Sequence, residues 1–258
     1  MKKFVYLLFI YILFTIIPVI AADEELLFMF DASLSMSDDF YGTPKYQIAV
    51  REVKSMLDKL GPQHKVGLRT IGIILDSSVL KYLQNPDEMC KATQLTVPIR
   101  PNSASFVKSS LDNIVPLGTT PLEYTLRLSL DSDFTRSVPL KHIVLITDGA
   151  DSCGGDPCRY ARAAMMQRSD VKIDIIAIGV NDIEVQQLKC IADAAKGNVF
   201  LVSNPKDIEN AVNTIYSNIN TLPVTPSVNY QTNSIKTEIN NFPTGSVKYK
   251  NYHFETFD

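Results

Sequence analysis

Asp31, Ser33 and Ser35 place three oxygen-bearing side chains at alternate positions of one short stretch, Asp-Ala-Ser-Leu-Ser. A carboxylate and two hydroxyls are hard donors. They suit Mg²⁺, Mn²⁺ or Ca²⁺ better than Zn²⁺ or copper, which favour imidazole and thiolate. Two more residues offer the same chemistry: Thr120 in Leu-Gly-Thr-Thr-Pro-Leu and Asp148 in Val-Leu-Ile-Thr-Asp-Gly. Each has a plain structural use as well. Ser and Asp fill turns, Thr120 and Glu123 have the spacing of a capping box, and Asp148-Gly149 has that of a turn closing a strand. His64, His142 and His253 are scattered, and none is paired with a cysteine at zinc spacing. The chain has no Gly-x-x-x-x-Gly-Lys-Ser/Thr phosphate loop and no Gly-x-Ser-x-Gly nucleophile elbow.

The elements that must position these residues follow from the hydrophobic pattern. Leu26 to Phe30 is an unbroken apolar run that ends on Asp31, as a strand covered on both faces requires. Helical spacing of Tyr46, Ala49, Val50, Val53, Met56, Leu57 and Leu60 predicts a helix over 45–60, stopped by Gly61-Pro62. A strand over 65–73 follows, then a mixed stretch over 76–91. Thr93 to Ile99 reads as an edge strand, because Pro98 cannot donate to a ladder. Asn102 or Ser103 caps a helix that turns Phe106, Val107, Leu111 and Ile114 inward. Pro121 opens another helix. Further strands are expected over 142–147, 171–180 and 198–202, with helices from Asp156-Pro157, Ile183 and Asn204-Pro205 after them. This alternation predicts a doubly wound, mostly parallel six-stranded α/β sheet flanked by helices. In such a sheet the ligand crevice lies at the carboxyl ends of the strands, where the winding reverses. Asp31 and Asp148 both close strands at that edge.

Composition sets the class. The chain has 258 residues, 45% of them hydrophobic and 21% charged, which fits one globular domain with a tail. The net charge of −3 comes without any basic run, which argues against nucleic acid as a partner. Residues 1–22 combine Lys2 and Lys3, a long apolar run and small residues at Ala21 and Ala22, the pattern of a secretory signal peptide. Its removal takes away two lysines and changes −3 to −5. The apolar run is also long enough for a retained membrane anchor. The domain is expected over 23–220. Over 221–258, Thr, Asn, Pro and Ser dominate, and the stretch reads as a linker or extended arm. Cys90, Cys153, Cys158 and Cys190 make an even number in a chain expected to be exported, to the periplasm, the cell envelope or the medium, where disulfides form.

Asp-Ala-Ser-Leu-Ser resembles the Asp-x-Ser-x-Ser core of the metal-ion-dependent adhesion site of von Willebrand factor A domains. Thr120 stands where that family carries its metal-site threonine, in a pattern resembling Gly-Gly-Thr-Pro-Leu. Asp148 stands where it carries its final ligand. The three segments keep the family's order within the same α/β alternation, so the resemblance extends over most of the chain. Leu34 departs from the glycine often found there. Ala-Asp-Ser-Cys-Gly-Gly-Asp-Pro-Cys and Leu-Lys-Cys-Ile-Ala-Asp-Ala-Ala-Lys-Gly resemble a subgroup of bacterial exported A domains.

The resemblance implies a Rossmann-like fold and one divalent cation, Mg²⁺ or else Mn²⁺ or Ca²⁺, on Asp31, Ser33, Ser35, Thr120 and Asp148, with Asp148 acting through water. It implies a non-enzymatic module that binds an acidic residue of a partner protein. A Mg²⁺-dependent phosphatase with Asp31 as nucleophile is the enzyme alternative. It would resemble Asp-x-Asp, and Ser33 stands in place of the second carboxylate. A domain that holds metal only for stability is the third reading. For the cysteines, helices that follow consecutive parallel strands are neighbours, which pairs Cys158 with Cys190; Cys90, before the edge strand, and Cys153, in the loop after Asp148, are expected at the metal-site end of the sheet and paired there. The local rival is Cys153–Cys158.

Overall fold

The computed structural model describes residues 24–73, 86–135, 137–138 and 140–221. The expected signal segment and the expected tail beyond Thr221 lie outside these residues, as does much of the stretch 76–91. The main sheet has the order β5-β4-β1-β6-β7-β8, built from β1 (Glu24–Asp31), β4 (Lys65–Ile71), β5 (Thr93–Arg100), β6 (Leu140–Thr147), β7 (Val171–Ile178) and β8 (Val199–Val202). Every pair is parallel except β4 with β5, and β5 lies at the edge, where Pro98 is tolerated. A small hairpin, β2 (Asp39–Phe40) with β3 (Thr43–Pro44), follows β1.

The unbroken apolar runs are explained by burial on both faces. Leu26, Phe28 and Phe30 of β1 join one core, with α1 (Lys45–Lys59), α3 (Ala104–Asp112) and α7 (Pro205–Thr221). Leu27 and Met29 join the other, with α4 (Leu122–Leu128), α5 (Pro157–Met165) and α6 (Asp182–Ala194). A short helix, α2 (Pro86–Met89), precedes β5. Each fully buried Phe or Leu on this strand stabilises the fold by about 1.5–3 kcal/mol. Because β1 carries two faces of such residues, it is held from both sides, and Asp31 is fixed at its end.

Two local expectations are replaced. Ser103 precedes α3 but does not cap it; its hydroxyl bonds the carbonyls of Val66 and Arg100 and ties the β4–β5 edge to the helix start. Thr120 and Glu123 form no capping box. The Glu123 N–H donates to Asp151 Oδ2 at 2.9 Å, and the Glu123 carboxylate accepts from the Asp156 N–H and from Arg127. By contrast Asp156 does cap α5, accepting from the Arg159 N–H, and Asn181 with Glu184 forms a complete capping box on α6.

Disulfides join Cys90 to Cys153 and Cys158 to Cys190. The second staples α5 to α6. Among the described residues no helix is long and apolar enough to cross a membrane.

Candidate metal centre

β1 and β6 are direct neighbours, so the residues that leave their carboxyl ends meet. The chain after Asp31 turns at once into a 3-10 turn, Leu34–Ser37, and two bonds hold its start. The Ser33 N–H donates to Asp31 Oδ1 at 2.8 Å, and the Leu34 N–H donates to the Gly118 carbonyl at 2.9 Å. Gly118 and Gly72 make this possible. A Cβ on Gly118 would fall 1.7 Å from the Gly72 carbonyl oxygen, and Gly72 has φ +82°. Backbone contact between the two loops therefore brings Thr120 to the end of β1.

Asp31, Ser33, Ser35, Thr120 and Asp148 gather at this edge. Ser33 and Ser35 hydroxyls lie 3.2 Å apart, and Ser35 Oγ donates to Asp148 Oδ1 at 2.9 Å. Asp31 is completely buried, and so, nearly, is Asp148. Thr120 is placed through its backbone: its N–H donates to Ser152 Oγ at 2.8 Å, and its carbonyl accepts from the Ser152 N–H at 3.1 Å. Asp151 secures the same loop by accepting from the N–H groups of Cys153 and Gly155 as well as Glu123. The Cys90–Cys153 bridge fixes its far side.

Four contributors were not singled out from sequence. Thr147, the last residue of β6, donates its hydroxyl to Asp31 Oδ2 at 2.6 Å and accepts from the Gly149 N–H. Asp151 and Ser152 lock the Thr120 loop to the Asp148 loop. Lys45, the first residue of α1, puts its ammonium 2.7 Å from Asp148 Oδ2. Asp151 alone left a local trace, since an Asp two residues before a turn position commonly bonds the backbone ahead of it.

The electrostatics of the two carboxylates differ. Asp148 has Lys45 as counter-ion. Asp31 has hydrogen bonds from Thr147 and Ser33 but no cationic partner among the described residues. Burial strips water from its charged form and pushes its pKa up to about 6, further raised by the nearby Asp148 charge and only partly offset by the Thr147 hydrogen bond. Among the described residues no three His, Cys, Asp or Glu side chains converge as a metal cluster. A cation at this edge would rest on two carboxylates and neutral hydroxyls, the donor set that hard, water-retaining ions accept. The residues present fit such an ion, and an ammonium already occupies part of the crevice.

At the opposite end of the sheet, His142 is buried between Asp174 and Glu24. Its Nε2 lies 2.9 Å from Asp174, and its Nδ1 lies 3.2 Å from Glu24 without hydrogen-bond geometry. Burial works against the imidazolium, but the two carboxylates outweigh it and hold the His142 pKa above the ordinary value. This group lies far from the oxygen cluster along β6 and has the features of a structural ion pair.

Comparison with known proteins decides the family. The model of the von Willebrand factor type A domain matches residues 25–214. The chain belongs to that family. It is similar to the Bacillus subtilis protein YwmD, itself uncharacterised, at 27% identity over 74% of this chain and 84% of YwmD. Among solved structures, a von Willebrand factor type A protein from Catenulispora acidiphila matches with TM-score 0.59 and 18% identity over 77% of this chain. Proximal thread matrix protein 1 of the mussel byssus, with a zinc-occupied metal-ion-dependent adhesion motif, matches with TM-score 0.56 and 19% identity over 76% of this chain. The chain spans under half the length of these two structures, 43% and 46%. They share the fold with this chain, and the second holds zinc in its own adhesion motif.

Proposed function

We propose that this type A domain is an exported, non-enzymatic binding module in which Asp31, Ser33, Ser35, Thr120 and Asp148 hold one divalent cation, Mg²⁺ or Mn²⁺, for a partner protein's carboxylate. The observation that carries the reading is Asp31 itself: a completely buried carboxylate, raised to about 6, with no positive partner among the described residues. Leaving a buried charge unpaired is costly, and fixing it at the end of a strand buried on both faces makes sense where a cation completes it. When bound, the cation supplies a Lewis-acidic, partly hydrated charge that an acidic side chain can ligate.

The surroundings support a protein partner. Leu34, Tyr41, Tyr124 and Ile183 are large apolar residues left exposed on loops and first helical turns at this same edge. A cleft of about 150 Å³ lined by Pro121, Tyr124, Arg127 and the Cys90–Cys153 bridge opens next to the Thr120 turn. Such a rim suits an Asp or Glu flanked by apolar side chains. The phosphatase reading is weaker, because Ser33 is turned into the site by its backbone bond to Asp31 and supplies no acid.

The test is capture of exported and cell-envelope proteins on the immobilised domain, with and without chelator. Binding is expected to need the divalent ion and to be lost in Asp31→Ala and Thr120→Ala. Raised salt is expected to weaken it less than chelation does. Thr120→Ala keeps the fold on this account, since the Thr120 turn is held by its backbone, and circular dichroism checks the fold of Asp31→Ala. Capture that survives chelation and both substitutions would refute the reading.

A further inference from the structure

Lys45 stands in a position that local helix chemistry disfavours. It is the first residue of α1, where the positive end of the helix dipole opposes a cation, and the first turn of that helix has neither an acidic residue nor a side-chain cap. Its side chain is nevertheless well ordered by its surroundings. The Lys45 N–H donates to the Asp38 carbonyl at 3.1 Å, its stem passes beside Gly179, where a Cβ would lie 3.8 Å from Cε, and its ammonium meets Asp148. The lysine side chain is only 13% exposed and that of Asp148 only 1%. Asp38 is a second, looser partner at 3.8 Å and is largely exposed. A locally unfavourable residue held this firmly marks a position kept for its effect elsewhere.

Counting charges shows what that effect is. Asp31 and Asp148 bring two negative charges to the crevice; Lys45 cancels one through Asp148 Oδ2, while Asp148 Oδ1 remains with the Ser35 hydroxyl. We propose that Lys45 is a specificity-determining residue that sets the charge of the site: by staying paired with Asp148 it weakens divalent-ion binding and leaves the loaded crevice with one net positive charge for an acidic ligand to neutralise. Without Lys45 a divalent ion would close the charge balance by itself, and a further carboxylate would enter an already neutral site. The proposal rests on the divalent-cation reading above and goes beyond it in explaining why the loaded site selects an anion.

The experiment titrates the domain with Mn²⁺ alone, by calorimetry, in the wild type, Lys45→Met and Lys45→Arg, and then repeats each titration in acetate. Removing a positive charge this close to the ion is expected to tighten Mn²⁺ by about tenfold or more in Lys45→Met, while Lys45→Arg stays near wild type. Acetate is expected to tighten Mn²⁺ binding in the wild type, because the two ligands favour each other reciprocally, and to lose that effect in Lys45→Met. Circular dichroism confirms that each variant is folded, and Lys45→Arg serves if Lys45→Met is not. Unchanged or weaker Mn²⁺ binding in folded Lys45→Met overturns the role of Lys45 and leaves the metal reading standing. With Lys45→Arg as the variant, tighter binding or loss of the acetate effect would overturn it. If neither the wild type nor any variant binds Mn²⁺, both fall. Binding by Lys45→Met alone would refute metal loading of the natural protein and, with it, the proposed charge of the loaded site.

Discussion

Replacing Asp31 by Asn separates the stability of this domain from its proposed function. In the metal-free protein the Asp31 carboxyl titrates near 6, against an ordinary value of 3.8, chiefly because burial removes its hydration. That gap corresponds to about 3 kcal/mol of charging cost at neutral pH. The folded state holds this proton more tightly than the unfolded chain does. Stability therefore falls as pH rises from about 4 to about 6 and is at its lowest, as far as this group is concerned, above that window. Asn has no charge to bury and keeps the local bonds: its carbonyl accepts from the Ser33 N–H, and its amide faces Thr147 Oγ, whose proton can turn to the Gly149 carbonyl 3.1 Å away. Urea unfolding in chelator is the assay. Asp31→Asn is expected to be more stable than wild type by about 1–3 kcal/mol above pH 7, with the gain vanishing near pH 4. Adding Mg²⁺ is expected to stabilise the wild type and not the variant. A variant less stable than wild type in chelator at neutral pH would refute the claim that Asp31 is an uncompensated buried charge.

Other consequences are separable from the metal. His142 has a folded pKa above its ordinary value, so its contribution is complete below about 6.5 and lost as pH rises through the folded value; His142→Gln is expected to flatten that loss in unfolding measured from pH 6 to 9. Arg69 clamps the buried Asp133 with two bonds of 2.6 Å, so Arg69→Ala is expected to cost about 3–5 kcal/mol by thermal or chemical unfolding while leaving Mn²⁺ affinity in the folded protein unchanged. Replacing Cys158 and Cys190 together by Ser opens a bridge of 32-residue separation, and chemical unfolding is expected to show a loss of about 3–4 kcal/mol.

Much of the frame was legible in the sequence because both faces of the central strands are buried. The run Leu26 to Phe30 has no polar alternation for the same reason that its side chains divide between two cores. Asp31 and Asp148 could be placed at one edge because each closes such a run. What sequence reading could not supply are contacts made between loops distant in the chain. Thr147 reads as one more strand residue, yet its hydroxyl supports Asp31 across 116 positions. Lys45 reads as the start of a helix, and its partner is 103 positions away. Ser103 and Glu123 carry helix-cap signatures, but tertiary partners claim their side chains first. Cap rules describe what an isolated terminus prefers; here Asp151 reaches the terminus of α4 before Thr120 does.

The central claim is that one divalent cation sits among Asp31, Ser33, Ser35, Thr120 and Asp148. Anomalous diffraction from crystals grown with Mn²⁺ tests it directly. The account predicts a single strong peak within bonding distance, about 2.0–2.3 Å, of the Ser33 and Ser35 hydroxyl oxygens, absent from crystals of Asp31→Ala. No peak at this edge at saturating Mn²⁺, or a peak held instead by other carboxylates such as Glu123 and Asp151, would contradict it.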